Sequence, residues 1–195
     1  MAAEPLPSPG VDARRRTRLA GFDNAWYRPG RGPLVRLAWY FVNEVVFKPG
    51  LFPINGLKTW LLRLFGAKVG RGVVIKPCVN IKYPWRLTIG DDAWIGEQVW
   101  IDNLADVRIG ADACLSQGAM LLCGSHNYKD PAFGLLVGEI VLEDGAWVGA
   151  KALVCPGVTL HSHAVLAAGS VATHDLPAYT VCQGNPAVPK RDRGL

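Results

Sequence analysis

Four histidines, His126, His161, His163 and His174, and five cysteines, Cys78, Cys114, Cys123, Cys155 and Cys182, carry the sequence's capacity for proton transfer and nucleophilic chemistry. His126 opens the segment GSHNYKDPAFG, whereas His161 and His163 share one short stretch and His174 lies further towards the end. An imidazole titrates near neutral pH, so one that faces solvent can take the proton of a weak nucleophile, such as an alcohol, during its attack. The cysteines contain no CxxC pair and stand at no zinc-ligand distance from a histidine, so they read as small buried hydrophobes in a reducing compartment. His126 is the candidate general base, and the other three histidines read as solvated.

What must position His126 is a repeat. An aliphatic residue recurs every six positions through Val69, Ile75, Ile81, then Ile89, Ile95, Ile101, then Ile109, Leu115, Leu121, and resumes through Leu142, Val148, Val154, Leu160 and Leu166. Four positions after nearly every member stands a small residue, among them Val73, Ala93, Ala119, Ser125, Ala146 and Ser170. Strand side chains alternate faces, so the small residue and the next aliphatic point into one interior. Glycine often follows the aliphatic, as at Gly70, Gly90, Gly96, Gly110 and Gly149, where a tight turn is expected to need its backbone freedom. Three six-residue units make a triangular coil of 18. The equivalent positions Val69, Ile89, Ile109, Leu142 and Leu160 then leave two residues extra in two coils and fifteen extra in one. The expected fold is mainly β: a parallel β-helix of about five coils with one excursion loop at about 126–141. His126 falls in the outward slot after Ser125, at the mouth of that loop.

The same phase sorts outward residues into three columns. Lys68, Thr88, Arg108, Val141 and Thr159 form a polar one; Val74, Trp94, Cys114, Trp147 and Val165 a second; Asn80, Trp100, Met120, Leu153 and Val171 a third. Two apolar columns exceed what a monomer usually leaves in water, and two different sticky faces on a three-sided prism suit closure into a homotrimer. Coverage of those faces by N-terminal helices of the same chain is the alternative.

Ahead of the repeat, residues 34–66 are expected to be helical. LVRLAWYFVNEVVF is apolar almost all round, and Leu57, Trp60, Leu61, Leu64 and Phe65 form one stripe ended by Gly66. These helices either lie on the first coil or associate shallowly with an inner membrane surface, helped by Arg14, Arg15, Arg16 and Arg18. Residues 1–33 are expected to be a flexible basic tail. Half the residues are hydrophobic, which excludes a disordered chain, and the net charge of +5 suits an anionic ligand or surface. No apolar run long enough to cross a membrane and no signal-peptide pattern occur, so a cytoplasmic protein is expected.

The segments YPWRLTIGDDAWIG, VWIDNLADVRIG, LSQGAMLLCGSHNY, DPAFG, EDGAWVGAKALVCPGVTL, AAGSV, DLPAYTV and GNPA, in that order, resemble the hexapeptide-repeat acetyltransferases, and among them the colanic acid biosynthesis and related sugar O-acetyltransferases. The resemblance runs from about Val35 to Arg191. It implies a left-handed coil, a trimer, acetyl-CoA as co-substrate and no metal. It also implies direct transfer to a sugar hydroxyl, with the loop histidine as base, in the making of an exopolysaccharide or related glycan. By the same resemblance Trp147 stands beside the active site, and Gly149, Ala150, Ala167 and Ala168 border the pantetheine arm. Asp102 and Asn103 fall where relatives hold sugar hydroxyls. Lys190, Arg191 and Arg193 in the tail could meet the CoA phosphates. Two departures put phosphate contacts in doubt: His174 replaces a common lysine, and His161-Ser162 a glycine-containing turn.

Rival readings are a repeat scaffold that has kept assembly and lost chemistry, and a γ-type carbonic anhydrase, which needs three converging histidines where only His126 is well placed. A nucleotide-sugar pyrophosphorylase would need a preceding nucleotide-binding domain for which the 68 residues before the repeat leave no room. Nucleic acid is not an expected partner.

Overall fold

The computed structural model describes residues 16–195, so Arg14 and Arg15 of the arginine run lie outside the described residues. The described chain forms two compact units. One ends at Arg28 and takes in His126–Leu136; the other comprises Pro29–Ser125 and Val137–Leu195.

The larger unit is the expected parallel β-helix. Its coils are β1–β3 (Lys68–Val69, Val74–Ile75, Asn80–Ile81), β4–β6 (Leu87–Ile89, Trp94–Ile95, Trp100–Asp102) and β7–β9 (Val107–Ile109, Cys114–Leu115, Met120–Leu122). After the excursion, whose paired strands are β10 (Gly124–His126) and β11 (Leu135–Val137), come β12–β14 (Ile140–Leu142, Trp147–Val148, Leu153–Val154) and β15–β17 (Thr159–Leu160, Val165–Leu166, Val171–Ala172). A sixth coil begins where Leu176 bridges Leu160 and β18 (Thr180–Gly184) pairs with β16, and β19 (Ala187–Asp192) folds back antiparallel on β18.

Each outward column becomes one face of the prism in register. Thr88 pairs with Lys68 and Arg108; Trp94 with Val74 and Cys114; Trp100 with Asn80 and Met120. The ladder aliphatics fill the interior, where Ile81, Ile101, Leu121, Val148, Val154 and Leu160 are fully buried. Burying each such side chain stabilises the fold by about 1.5–3 kcal/mol relative to leaving it exposed.

Two sequence expectations change. The glycines after the aliphatics do not serve unusual backbone angles, because positive φ falls instead on corner residues such as Asp92, Gln98, Asp112, Lys151 and His163. They are needed because coils approach too closely for a side chain: a Cβ on Gly149 would lie 2.6 Å from the Ala168 nitrogen, and one on Gly90 2.5 Å from that of Ala111. Ser125, expected inside, is exposed, and Cys123 takes the last interior place before the excursion. The break in the ladder therefore comes one inward position earlier than its period implies.

A stack of parallel coils leaves three open strand edges at its first turn. Here α1 (Pro33–Val42), a π turn over Asn43–Phe47 and α2 (Asn55–Leu64) satisfy them with side chains. Arg63 donates to the Val69 and Gly70 carbonyls on β1. On β2, Asn55 accepts from Ile75 N–H and donates to the Val73 carbonyl, while the fully buried Lys58 donates to the Lys76 carbonyl at 2.9 Å. On β3, Trp39 donates to the Ile81 carbonyl and Asn43 accepts from Ile81 N–H. Burial pushes the Lys58 ammonium below the ordinary value near 10.5, opposed in smaller measure by the nearby Cys78 thiol. In the window between the lowered value and 10.5 the unfolded chain binds more protons than the folded one, so this residue's contribution to stability rises with pH. Denaturation of wild type and Lys58→Met at several alkaline pH values should show the difference between them moving in favour of the wild type as pH rises. A pH-independent difference would mean that folding leaves the proton affinity of Lys58 unchanged.

Candidate active site

His126 ends β10 and belongs to the smaller unit. Its Nδ1 lies 2.9 Å from the Phe133 carbonyl oxygen, which can only accept, so Nδ1 carries the proton and the lone pair resides on Nε2. The ring lies flat against Phe133, with centroids 4.5 Å apart and planes 10° apart, and Phe22 leans on it at 5.7 Å. Phe133 reaches this position with φ +55°, a conformation that side chains other than glycine rarely adopt. Asn127 N–H donating to the Gly134 carbonyl closes the hairpin behind it. From Arg16 onward the expected flexible tail is engaged with the excursion, since Arg18 N–H donates to the Pro131 carbonyl. Sequence reasoning missed Phe22 and Phe133, because neither belongs to any repeat; the short interval from His126 to the turn residues DPAFG was the available signal.

The larger unit carries a groove of about 510 Å³ beside the Trp147 column. Trp147, Gly149, Ala150, Ala167 and Ala168, all named from the sequence, line it together with Arg191 and Arg193. Gly149, Ala150, Ala167 and Ala168, which follow strands β13 and β16, leave part of the groove floor bare, beside the larger side chains of Trp147, Val165 and Leu166. Trp147 Nε1 donates to Ser116 Oγ at 2.9 Å, which fixes the indole as a wall. Ser116, Val181 and Leu195 also line the groove and were not anticipated; Ser116 is signalled only by pairing of the Trp147 strand with Cys114-Leu115.

The cations divide. Arg191 lines the groove on the hairpin strand β19, while Lys190 is not among the lining residues, since its neighbour in an alternating strand takes the inward place. Arg193 lines the groove but spends its guanidinium on the Gly145 and His163 carbonyls, at 2.6 and 3.0 Å, so it anchors the tail. Asp102 is ion-paired with Lys82 at 2.9 Å and keeps part of its surface. Asn103 is different. It is fully buried in a single chain, and its amide accepts from Tyr83 N–H and donates to the Tyr83 carbonyl, so it shapes the corner and presents no exposed surface to a sugar hydroxyl there.

His161 and His163, read as solvated, are half-buried and partnered. His161 Nδ1 meets Glu143 at 3.0 Å, and His163 stacks on Tyr179 with centroids 4.8 Å apart. The HS turn that replaces a glycine is held by Glu143, which accepts from Ser162 N–H. His174 is exposed, its ring contacting Thr173 Oγ1. No cysteine is poised as a nucleophile among those with a shifted thiol: burial pushes Cys123 up to about 11, and raises Cys114, Cys155 and Cys182 as well.

No protein-family model matches the chain. Among curated proteins, the one described as "Putative colanic acid biosynthesis acetyltransferase WcaF" of Escherichia coli K12 is 40% identical over 176 residues, which cover 90% of this chain and 96% of that protein. The chain belongs to the hexapeptide-repeat acetyltransferases. Solved structures agree on the fold. The enzyme superposes on a hexapeptide-repeat acetyltransferase of Vibrio cholerae, solved with acetyl-CoA, with a TM-score of 0.73 at 23% identity over 82% of this chain and 87% of that one. It superposes equally, at 0.73 and 24% identity over 82% and 81%, on a galactoside acetyltransferase solved with coenzyme A. The coil is thus the left-handed β-helix that the sequence implied.

Proposed function

We propose that the enzyme transfers the acetyl group of acetyl-CoA to a hydroxyl of a sugar used in exopolysaccharide or related glycan synthesis, with His126 as general base. The observation that carries this reading is the His126 ring, held by the Phe133 carbonyl so that a neutral imidazole offers its Nε2 lone pair. An acceptor hydroxyl gives its proton to Nε2 as its oxygen attacks the thioester carbonyl; the carbon–sulfur bond then breaks, and the proton passes to the departing thiolate. No acyl-enzyme is needed, and the raised cysteine thiols suit none. The glycine- and alanine-floored groove fits the thin pantetheine arm, with Arg191 for the phosphates. Among the described residues no group of three His, Cys, Asp or Glu side chains could hold a metal, and direct transfer calls for none.

The test is incubation with acetyl-CoA and a panel of nucleotide sugars, oligosaccharides and lipid-linked sugars, read as free thiol and product mass. An acetylated sugar with matching thiol release is expected. Thiol release without any acetylated carbohydrate, or none with any acceptor, would contradict the reading and favour a scaffold.

Arg191→Ala should raise the acetyl-CoA KM about tenfold and leave kcat nearly unchanged, because a phosphate contact is similar in ground and transition states. Lys190→Ala, off the groove, should do far less. Equal effects of the two would place the phosphates elsewhere.

The assembly is proposed as a homotrimer. Trp94 and Trp147 on one face and Trp100 on another remain 51%, 43% and 41% exposed in a single chain, on columns that otherwise carry few charges. Water contact on that scale is unfavourable for aromatic surfaces.

A further inference from the structure

Helix α1 is apolar on both sides. Its inner side buries Trp39, and the π turn that continues it buries Asn43 and Phe47. On the opposite side Leu34, Leu37, Phe41 and Val45, three and four residues apart, are each more than half exposed. A helix that lies on a core normally turns polar side chains outward, so a second apolar stripe is unexplained by folding. Between Val35 of α1 and the end of α2 lies a cleft of about 320 Å³ lined also by Arg31, Leu64, Phe65 and Gly66, and on α2 Trp60 and Leu64 are exposed as well.

Charge identifies the occupant. Residues 1–66 contain ten lysines and arginines against four acidic residues, a net +6, whereas the rest of the chain contains eleven against twelve, a net −1. Within the stripe's own unit, residues 29–66 contain five lysines and arginines against the single acidic Glu44; Lys58 is buried, Arg63 is held by β1 and Lys48 pairs with Glu44, so the exposed Arg31, directly ahead of α1, is the cation open to a ligand of the stripe. An apolar stripe attended by cations is the pattern of a helix lying in the headgroup layer of a bilayer. A second copy of this chain would bring the same positive charge against itself, which disfavours pairing through this surface. No described helix is long and apolar enough to cross a membrane.

We propose that the α1 stripe docks the enzyme on an anionic lipid surface, with Leu34, Leu37, Phe41 and Val45 at the acyl boundary and Arg31 at the lipid phosphates. The inference does not depend on the identity of the acceptor sugar. It is tested with the full chain by flotation with vesicles of phosphatidylcholine alone and of phosphatidylcholine mixed with phosphatidylglycerol. Binding to the anionic vesicles should exceed that to the neutral ones by about tenfold or more at low salt, and weaken as salt rises. The double variant L37E/F41E should lose about tenfold of that binding while its mass in solution and melting behaviour stay as in the wild type. Arg31→Glu, on an exposed side chain outside both helices, should weaken binding in the same direction. No flotation with anionic vesicles, unchanged binding by L37E/F41E and R31E, or a changed assembly mass in L37E/F41E would each overturn the proposal, the last by making the stripe a subunit contact.

Discussion

Replacement of His126 by alanine is expected to lower kcat by about 10²- to 10⁴-fold, roughly 3–5 kcal/mol of barrier, while the protein keeps its fold. General-base catalysis supplies about that much, and the imidazole's contacts, one hydrogen bond to the Phe133 carbonyl and two ring contacts, lie in the excursion rather than in the β-helix core. Acetyl-CoA affinity should change little, since the ring acts on the acceptor. His174→Ala is the control, being exposed and in contact only with a neighbouring threonine hydroxyl. His163→Ala would be a poor control, because its ring stacks on Tyr179 and its loss would disturb the turn. Steady-state rates with the true acceptor decide the matter. A His126→Ala enzyme retaining more than about a tenth of wild-type turnover would end the base assignment.

Trp100→Glu is expected to convert an assembly of three 21.1 kDa chains into monomers. Trp100 is the aromatic of its face, paired directly with Asn80 and Met120, beyond which Leu153 and Val171 continue the column, and it does not line the groove beside Trp147. Buried aromatics of this kind typically contribute 2 kcal/mol or more at an interface, and a carboxylate forced into their place adds an uncompensated charge. Light scattering or analytical ultracentrifugation reads the outcome. A wild type that is already monomeric, or a variant with unaltered mass, would show that the tryptophan faces do not hold subunits together.

Much of this was legible in the residues because the β-helix is built from local repetition. A six-residue period fixes which side chains enter the interior, so Trp94 pairs with Cys114, and Trp147 with Val165, as the phase required. Gly149, Ala150, Ala167 and Ala168 were legible for the same reason: they are repeat positions whose small size leaves a groove. What escaped lies where the period stops. Ser125 was placed inside by counting on through the excursion, yet the chain had already left the interior after Cys123. Phe22 reaches His126 from more than a hundred positions earlier, and no periodicity links them. Asn103 matches an acceptor-binding position by resemblance, and only the fold shows that it is buried in a single chain and bonded twice to Tyr83. For Lys190, Arg191 and Arg193 a run of cations does not say which of them alternation turns towards the groove; Arg191 and Arg193 line it, and Arg193 is also tied to the Gly145 and His163 carbonyls.

The claim that the groove beside Trp147 holds the acetyl donor is tested most directly by equilibrium titration of CoA into the wild type and into Ala168→Trp. Ala168 is exposed on the groove lining, so an indole there fills the path of the pantetheine arm while leaving the core untouched. Saturable binding by the wild type, lost by at least about tenfold in an Ala168→Trp protein of unchanged melting behaviour, is the predicted result. Equal affinity in the two proteins would contradict it and remove the groove from the account.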